Sequence, residues 1–245
     1  MAYSREYITE FDRTSELAAF SGTSDCLYPH VSLTNDDGAI HFLKDPYQHK
    51  YVEIGGVKWA TMNVGATSIT DIGEYFAWGE VRGYTTSQIG REPGKHLFKW
   101  EEYALSDDNG VISKYNSTDG KTVLEENEDA GHNYGTRWRM PTAAEYKALE
   151  NATTTAYTTN YEGTGASGIV ITDRTDSSKK LFFPACGYVD NGTFNDVGDG
   201  AIYWSSSVDT DDYQKAICLG FGHGRAYMDD THIRCHGACV RAVAV

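Results

Sequence analysis

The chain has 245 residues, which is enough for one large domain or for one domain with a small N-terminal extension. It carries 35 acidic and 21 basic residues, for a net charge of −14. Nucleic acids and anionic membrane surfaces bind through basic side chains, so this charge balance argues against both as partners. Glycine is abundant and aromatic residues make up 13% of the chain, which favours a loop-rich α+β or mostly β fold over a helical bundle.

The first 48 residues are predicted to form a small arm for attachment or oligomerisation. They are polar, and "YPHVSLTNDDGAIHFL" alternates like two strands around a turn at Asp36-Asp37-Gly38. The opening "MAYSREYITEF" has no apolar segment and no cleavage site, so it predicts no secretion signal. Without a membrane-length apolar run either, we expect the protein to stay in the cytoplasm or to leave inside a virion released by lysis.

Residues 49–245 are predicted to form one domain built from short strands. "YVEIGGVKWATMNVG" predicts two strands joined by a Gly-Gly turn, and residues 83–136 predict a long polar loop of the kind that is functional or an insertion. Further strands are predicted at "GIVITD", "KKLFFPACGY", "IYWSSS", "KAICLGFG" and "ACVRAVAV", and a loop over "TTTAYTTNYEGTGASG". No internal repeat is visible.

The segment "WRMPTAAEYKALEN", residues 138–151, predicts one short amphipathic helix over about 142–151. Proline is well placed just before a helix, Thr142 can cap the first turn, and Glu145 three residues later completes a capping box. Tyr146 and Leu149 lie on one helical stripe, which predicts the face that is buried.

Several of these segments, in this order, resemble one known family. They are "VEIGGVKWATMNVG", "YFAWGE", "SKYNSTDGKTVLEENEDAGHNYGTRWRMPTAAEYKAL", "LFFPACGY", "YWSSS" and the closing "VRAV". They resemble the major paralogous domain of gut Bacteroidetes and their phages, which belongs to the wider C-type-lectin-like fold and is similar in plan to formylglycine-generating enzymes. The resemblance covers about residues 50–245 and implies an α+β fold with short antiparallel strands, one or two helices and long loops.

One branch of this family resembles the variable proteins of diversity-generating retroelements. In those proteins a mutagenic reverse transcriptase rewrites adenine positions, often in asparagine codons, while the scaffold stays fixed. The resemblance implies that about residues 204–240 form a diversified recognition surface, as in phage tail receptor-binding proteins and bacterial surface adhesion proteins. It implies a host-surface protein or glycan as the ligand, no cofactor, and a homotrimer, as is common among such tail proteins.

The C-terminal segment "KAICLGFGHGRAYMDDTHIRCHGACVRAV", residues 215–243, begins as a strand and then loses its period. Alternation predicts that Ile217, Leu219 and Phe221 are buried, with Cys218, Gly220 and Gly222 on the other face. From His223 to His236 neither a helix nor a strand period fits. The mixture of charge, aromatic rings and thiols there predicts a loop surface suited to recognition.

The predicted ligand-binding residues come from this segment and from Tyr213 just before it. Asparagine codons changed at their adenines cannot give Met, Lys or Gln, so Met228, Gln214 and Lys215 are predicted to be scaffold. A few aromatic and charged anchors should supply most of the affinity. The predicted set is Tyr213, Ile217, Cys218, Gly220, His223, Arg225, Tyr227, Asp229, Asp230, His232, Ile233, Cys235, His236 and Ala238.

Two other chemistries compete for the cysteines and histidines near the C-terminus. His232, Cys235, His236 and Cys239 have a spacing that could bind zinc. Cys235 and Cys239 also lie roughly where formylglycine-generating relatives place a cysteine pair, although no charged partner at an evident spacing would lower a thiol pKa. The five cysteines match no disulfide framework, so free thiols in a reducing compartment are expected.

Calcium-dependent sugar binding is a further alternative. "EPG" lies in the wrong part of the chain for a lectin calcium triplet, and "FND" lacks the usual tryptophan. A structural calcium could still be bound by acidic side chains that are close in sequence. These are Asp196, Asp199, Asp209, Asp211 and Asp212.

The remaining motif residues are predicted to be structural. Trp59, Trp78, Trp138 and Trp204 are expected in the core, whereas Trp100 in the long loop is harder to place. Arg139, Arg241 and Glu145 are expected to form buried ion pairs that tie the helix to the terminal strand.

The sequence thus predicts a non-enzymatic binding protein of C-type-lectin-like fold with a retroelement-diversified face. The first alternative is an undiversified structural or adhesive module of the same fold. The second is a thiol enzyme of the formylglycine-generating type.

Overall fold

The computed structural model describes residues 50–107, 111–135, 137–222 and 224–245. The predicted N-terminal arm, residues 1–48, lies outside the described residues. In the described part of the chain one α-helix is surrounded by short strands in four small sheets, so the architecture is of the α+β class. No helix among the described residues is long and apolar enough to cross a membrane.

All pairings between the named strands are antiparallel. The sheets have the orders β1-β2-β12-β3, β11-β10-β9, β4-β5-β6 and β7-β8. The helix α1 is Ala143–Ala152; the strands are β1 Tyr51–Ile54, β2 Val57–Ala60, β3 Trp138–Arg139, β4 Thr153–Thr158, β5 Gly168–Asp173, β6 Lys180–Pro184, β7 Tyr188–Asp190, β8 Thr193–Asn195, β9 Gly200–Val208, β10 Lys215–Gly222, β11 Arg225–Ile233 and β12 Val243–Ala244.

The predicted helix is confirmed together with its cap. The Oγ1 atom of Thr142 accepts the backbone N–H of Glu145 at 3.2 Å, and the Glu145 carboxylate accepts the backbone N–H of Thr142 at 2.8 Å. Tyr146 and Leu149 are fully buried, as the helical stripe predicted. Local sequence is therefore sufficient to specify this helix and its inward face.

The predicted ion pairing is confirmed for Arg139 and wrong for Arg241. Arg139 contacts both carboxylate oxygens of Glu145, at 2.6 and 2.7 Å, and β3 pairs with β12, so the helix is tied to the terminal strand. Arg241 is fully buried and donates instead to neutral oxygens. These are Oδ1 of Asn63 at 2.7 Å, the carbonyl of Phe182 at 2.8 Å and the carbonyl of Ala60 at 3.0 Å.

Four of the five tryptophans lie in the core, as predicted. Trp59, Trp78, Trp138 and Trp204 are all at most 1% exposed. Trp59 stacks on Tyr146 of α1, with ring centroids 5.5 Å apart, and this contact fixes the helix against β2. The core therefore forms around large aromatic side chains, each of which removes a large apolar area from water.

Residues 83–136 contain no long helix or strand in their described part, in agreement with the predicted loop. Short 3₁₀ turns lie at Thr86–Gln88, Trp100–Glu102, Glu126–Glu128 and Ala130–Tyr134. The segment is nevertheless packed, because the side chains of Phe98, Tyr103, Tyr115 and Tyr134 are buried. This long loop is therefore an integral part of the domain.

Several strands and hairpins depart from the sequence prediction. Thr153–Thr158, predicted as a loop, is β4 and pairs in unbroken register with β5, where its β-branched side chains suit a strand. Residues 225–233, predicted as an irregular loop, form β11. The short hairpin β7–β8 turns at Asn191-Gly192, a dipeptide that is itself a hairpin signal.

We expect substitution of Glu145 by Gln to weaken the fold in a pH-dependent way. Burial alone would raise the pKa of Glu145, but hydrogen bonds from Arg139 and Thr142 outweigh it and hold the pKa below its usual value. A carboxyl with a lowered folded-state pKa stabilises the protein above its unfolded pKa, and this contribution is lost as pH falls. The free energy of unfolding should drop by about 1–2 kcal/mol at pH 7 and by less near pH 3.5.

Urea denaturation at the two pH values measures this difference. The matched control is Glu150→Gln on the same helix, since Glu150 pairs only with the exposed Lys147 and should change stability by about 0.5 kcal/mol or less. An equal loss at both pH values for Glu145→Gln would contradict the role of its charge.

Candidate ligand-binding site

A surface cleft lies where the chain leaving β11 meets the long loop and the β7–β8 turn. Its volume is about 370 Å³, and most of the residues that line it are charged or polar, with one tryptophan. The lining residues are Lys99, Trp100, Glu101, Asp190, Asn191, Cys235 and His236. A second cleft, of about 350 Å³ around Arg82 and Lys95, contains none of the predicted ligand-binding residues. The first cleft is therefore the candidate site.

The buried Arg234 directly precedes Cys235 and His236, two of the lining residues of this cleft. It follows β11 directly and its side chain is fully buried. Nε donates to the hydroxyl of Tyr103 at 2.9 Å, and Nη2 donates to the carbonyl of Lys114 at 3.1 Å. Nη1 donates to the carbonyls of Tyr213 at 3.0 Å and Tyr115 at 3.2 Å. One side chain thus joins the end of β11 to the long loop and to the turn before β10.

Aromatic rings complete the surroundings of Arg234. Its guanidinium carbon lies 4.5 Å from the centroid of the Trp78 ring, with Tyr103 and Tyr115 at 5.6 and 6.0 Å. A guanidinium is attracted to aromatic faces, most strongly to tryptophan and more so where water is excluded. The described hydrogen-bond partners are neutral oxygens, so dipoles and ring faces stabilise this charge.

Two histidines and one carboxylate lie together at the base of β11, and His236 and Asp190 line the cleft. Nε2 of His232 is 3.1 Å from Nδ1 of His236, and Nε2 of His236 is 3.3 Å from Oδ1 of Asp190. The Tyr188 ring packs edge-on against His232, with centroids 4.6 Å apart. Burial, with a smaller effect of the neighbouring His236, lowers the pKa of His232 to about 4, and burial lowers the pKa of His236 as well. Both rings are therefore mainly neutral at pH 7.

The thiols of Cys235 and Cys239 have separate surroundings. Cys235 lines the cleft, and burial followed by the nearby Asp190 raises the pKa of its thiol to about 12. Cys239 lies in the interior, where its sulfur donates to the carbonyl of Ile72 at 3.4 Å and contacts the thiol of Cys186. Thiol chemistry needs the ionised thiolate, and neither of these thiols is ionised near neutral pH.

The residues considered for zinc and for calcium do not form a metal cluster in the structure. Among the described residues, no group of three or more His, Cys, Asp or Glu side chains is arranged to hold a metal ion. Asp209 and Asp212 instead accept backbone N–H groups of their own turn, and Asp212 pairs with Lys215 at 3.1 Å.

The predicted recognition residues lie on a strand and its flanks, and their exposure differs widely. Arg225, Tyr227, Asp229 and Asp230 are exposed, with Tyr227 at 50%. Tyr213, Ile217, His232, Ile233 and His236 are half-buried. Cys218, Gly220, Cys235 and Ala238 are buried and so do not lie on an open face, although Cys235 lines the cleft. His223 lies outside the described residues.

The structure does not gather the accessible residues into one patch. A strand advances about 3.3 Å per residue, so the two ends of β11 are roughly 25 Å apart. Arg225 and Tyr227 lie toward the β10–β11 turn, whereas His232, Ile233 and His236 lie toward the cleft. Asp229 and Asp230 lie between the two groups.

A β-bulge interrupts the alternation of β11. Cys218 pairs with Asp230 and Gly220 with Tyr227, so Leu219 alone lies opposite the two residues Met228 and Asp229. The extra residue reverses the inward and outward faces of β11 on its two sides. On β10 the predicted burial holds for Leu219 and Phe221, and Ile217 is only half-buried. Cys218 is also fully buried, because β10 is the central strand of its sheet and a hydrophobic cluster covers each of its faces. Met228 is buried, as its predicted scaffold role requires.

Five lining residues of the cleft were missed in the sequence. Lys99, Trp100 and Glu101 belong to the long loop, and Asp190 and Asn191 belong to the β7–β8 turn. A tryptophan inside a polar loop and an Asn-Gly hairpin signal were the available clues, but neither shows that the two segments meet. Comparison of the chain with protein-family models, with curated proteins and with solved structures found no match.

We expect Arg234→Met to destabilise the protein strongly. The substitution removes the guanidinium N–H groups that donate to three backbone carbonyls, and these carbonyls are buried or half-buried. Each unsatisfied buried group costs about 1–3 kcal/mol, so the free energy of unfolding should fall by more than about 3 kcal/mol. Arg225→Met, on the exposed end of β11, is the matched control and should change it by about 0.5 kcal/mol or less. Chemical denaturation of both variants checks this, and similar losses would show that Arg234 is not a structural centre.

Proposed function

We propose that this protein binds a macromolecular ligand through β11 and the cleft at its base. The observation that carries the proposal is the contrast in exposure between neighbouring side chains of β11. Arg225, Tyr227 and Asp229 point chemically different side chains to solvent, while Met228 between them is 1% exposed. A surface of mixed charge and aromatic character on a strand anchored in the core is suited to recognition.

The anchoring allows the exposed side chains to change while the fold is kept. β11 pairs with β10 along nearly its whole length, and Arg234 fixes its end through four hydrogen bonds. Substitutions at exposed positions away from such contacts usually change stability by less than about 0.5 kcal/mol. This supports the proposal that the segment is a retroelement-diversified recognition face on a C-type-lectin-like scaffold.

The biological role that fits this proposal is a phage receptor-binding or surface adhesion protein. Its ligand is then a protein or glycan of a host surface, and its place is on a virion, where it would assemble as a homotrimer. The resemblance of the sequence motifs supports this role, and the acidic surface is compatible with it.

A specific observation favours the undiversified module of the same fold as the second candidate. Four of the fourteen predicted variable positions are buried, and Cys218 and Ala238 are 0% exposed. Random substitution at such positions would disturb packing, so a diversified chain must keep them nearly constant.

Deep sequencing of the gene with its flanking DNA across sibling isolates distinguishes the two candidates. We expect substitutions to cluster at adenines of codons for the exposed residues Arg225, Tyr227, Asp229 and Asp230, matched by a near-copy of the segment nearby. Codons for the buried Cys218 and Ala238 should stay constant. A segment as uniform as the rest of the gene would reject diversification and leave the fixed-ligand adhesive module.

Two substitutions to the same residue test whether exposure separates variable from scaffold positions. Tyr227→Asn should change the free energy of unfolding by about 0.5 kcal/mol or less, because the side chain is half exposed. Ala238→Asn should lower it by more than about 2 kcal/mol, because it adds volume and an unsatisfied amide at a fully buried site. Thermal and urea denaturation measure the stability of both variants. Equal losses of stability would contradict the division into variable and scaffold positions.

A further inference from the structure

The contact between His232 and His236 has a geometry that ligand recognition by β11 does not require. Nε2 of His232 and Nδ1 of His236 face each other at 3.1 Å. The other nitrogen of His236 lies 3.3 Å from a carboxylate oxygen of Asp190. Two imidazoles and one carboxylate therefore form a chain of three polar groups that ends at the cleft.

Asp190 determines which nitrogen of His236 offers a lone pair. An ionised carboxylate only accepts hydrogen bonds, so the proton of a neutral His236 belongs on Nε2 and its Nδ1 is unprotonated. Metal-binding histidines are commonly held in this way, with a carboxylate on the nitrogen that does not contact the metal. The lone pair of Nδ1 is directed at His232.

The nitrogen–nitrogen distance suits two ligands of one metal ion. Bonds from imidazole nitrogen to zinc are about 2.0–2.1 Å long, so two such ligands are about 2.9 Å apart at a right angle and about 3.4 Å apart at a tetrahedral angle. The observed 3.1 Å lies between these limits. Without metal, the same gap holds a hydrogen bond from His232. Metal binding requires that His232 transfer its proton from Nε2 to Nδ1, so the ring stays neutral, and that the two rings turn until both lone pairs point at the ion.

The surroundings restrict the two rings and leave an approach to them. Tyr188 packs edge-on against His232 and parallel to His236, with centroids 4.6 and 6.0 Å apart, and Trp204 lies 5.9 Å from His232. Rings held by packing lose little freedom when they bind an ion. The His236 side chain is 12% exposed and lines the cleft, which provides space for water molecules beside it.

We propose that His232 and His236 bind one divalent transition-metal ion of the class that prefers imidazole, such as Ni²⁺, Cu²⁺ or Zn²⁺. Asp190 is the positioning residue, and water from the cleft completes the coordination. The described residues provide no cluster of three or more metal-ligating side chains, so the site differs from a closed structural zinc site. This proposal requires His232 and His236, two of the fourteen predicted variable positions, to stay constant, and its test does not depend on whether the exposed face of β11 is diversified.

Calorimetric titration of the untagged full-length chain with nickel chloride at pH 7.5, repeated with zinc chloride, tests the proposal. We expect one ion per chain at this site, and its loss in both His232→Gln and His236→Gln. Asp190→Asn should weaken binding by about 10–100-fold while keeping the stoichiometry. His96→Gln is the matched control, because His96 contacts Glu102 in the other cleft and its loss should not change the affinity.

Unchanged binding in the double variant His232→Gln/His236→Gln would overturn the proposal, as would an equal loss in His96→Gln. Circular dichroism of each variant shows whether the fold is intact. X-ray absorption of the nickel-loaded wild-type chain gives an independent readout that needs no substitution. Two imidazole ligands per ion are expected, and one or none would also overturn the proposal.

Discussion

The C-terminal half of this structure depends on one buried positive charge, that of Arg234. Its described hydrogen-bond partners are neutral oxygens and not carboxylates. Arg234 places its guanidinium among the carbonyls of Lys114, Tyr115 and Tyr213 and against the face of Trp78. Arginine is suited to this role because its planar group has five donors in a fixed arrangement and is weakly hydrated for an ion. The long loop has little regular secondary structure, so these bonds, together with backbone bonds such as that from the Leu124 N–H to the Ser206 carbonyl, give its backbone a defined place. Other backbone bonds, between Val189 and Gly237 and from the Asn191 N–H to the Phe98 carbonyl, join the β7–β8 wall of the cleft to the rest.

Arg241 has the same role at the other end of the segment. It joins Asn63, the end of β2 and β6, and its guanidinium lies 4.4 Å from the Phe183 ring. The two buried arginines thus bracket the stretch that follows β11, and both contact parts of the chain that are more than 50 residues away in sequence. The contacts made by each arginine are incompatible with a different side chain, whereas the exposed residues of β11 make few contacts of any kind. Within this single stretch of chain, the positions that must stay constant are therefore different from the positions that can vary.

The sequence prediction was accurate where the interacting residues are close in sequence, and it failed where they are far apart in sequence. The helix was predicted with its cap and buried face because Pro141, Thr142, Glu145 and the apolar stripe all act within three turns. The β1–β2 hairpin was predicted for the same reason, from its Gly-Gly turn. β11 was missed because the bulge opposite Leu219 breaks its alternation, which is the main local signal of a half-buried strand. The cleft was missed because residues near 100, 190 and 235 meet only in the folded chain, and nothing in one sequence encodes that meeting locally.

β11 is the outer strand of the three-stranded sheet β11-β10-β9, and this position has a consequence for solubility. An outer strand presents backbone N–H and C=O groups that a second chain can pair with, and natural proteins discourage this with charged side chains and bulges. Arg225, Asp229 and Asp230 supply the charges here, and the bulge at Met228 and Asp229 supplies the irregularity. Replacing all three charges by apolar residues would leave the fold intact but produce a strand that invites fibre-like association between copies. The requirement to stay dispersed thus limits which combinations of side chains this strand can carry, independently of what it binds.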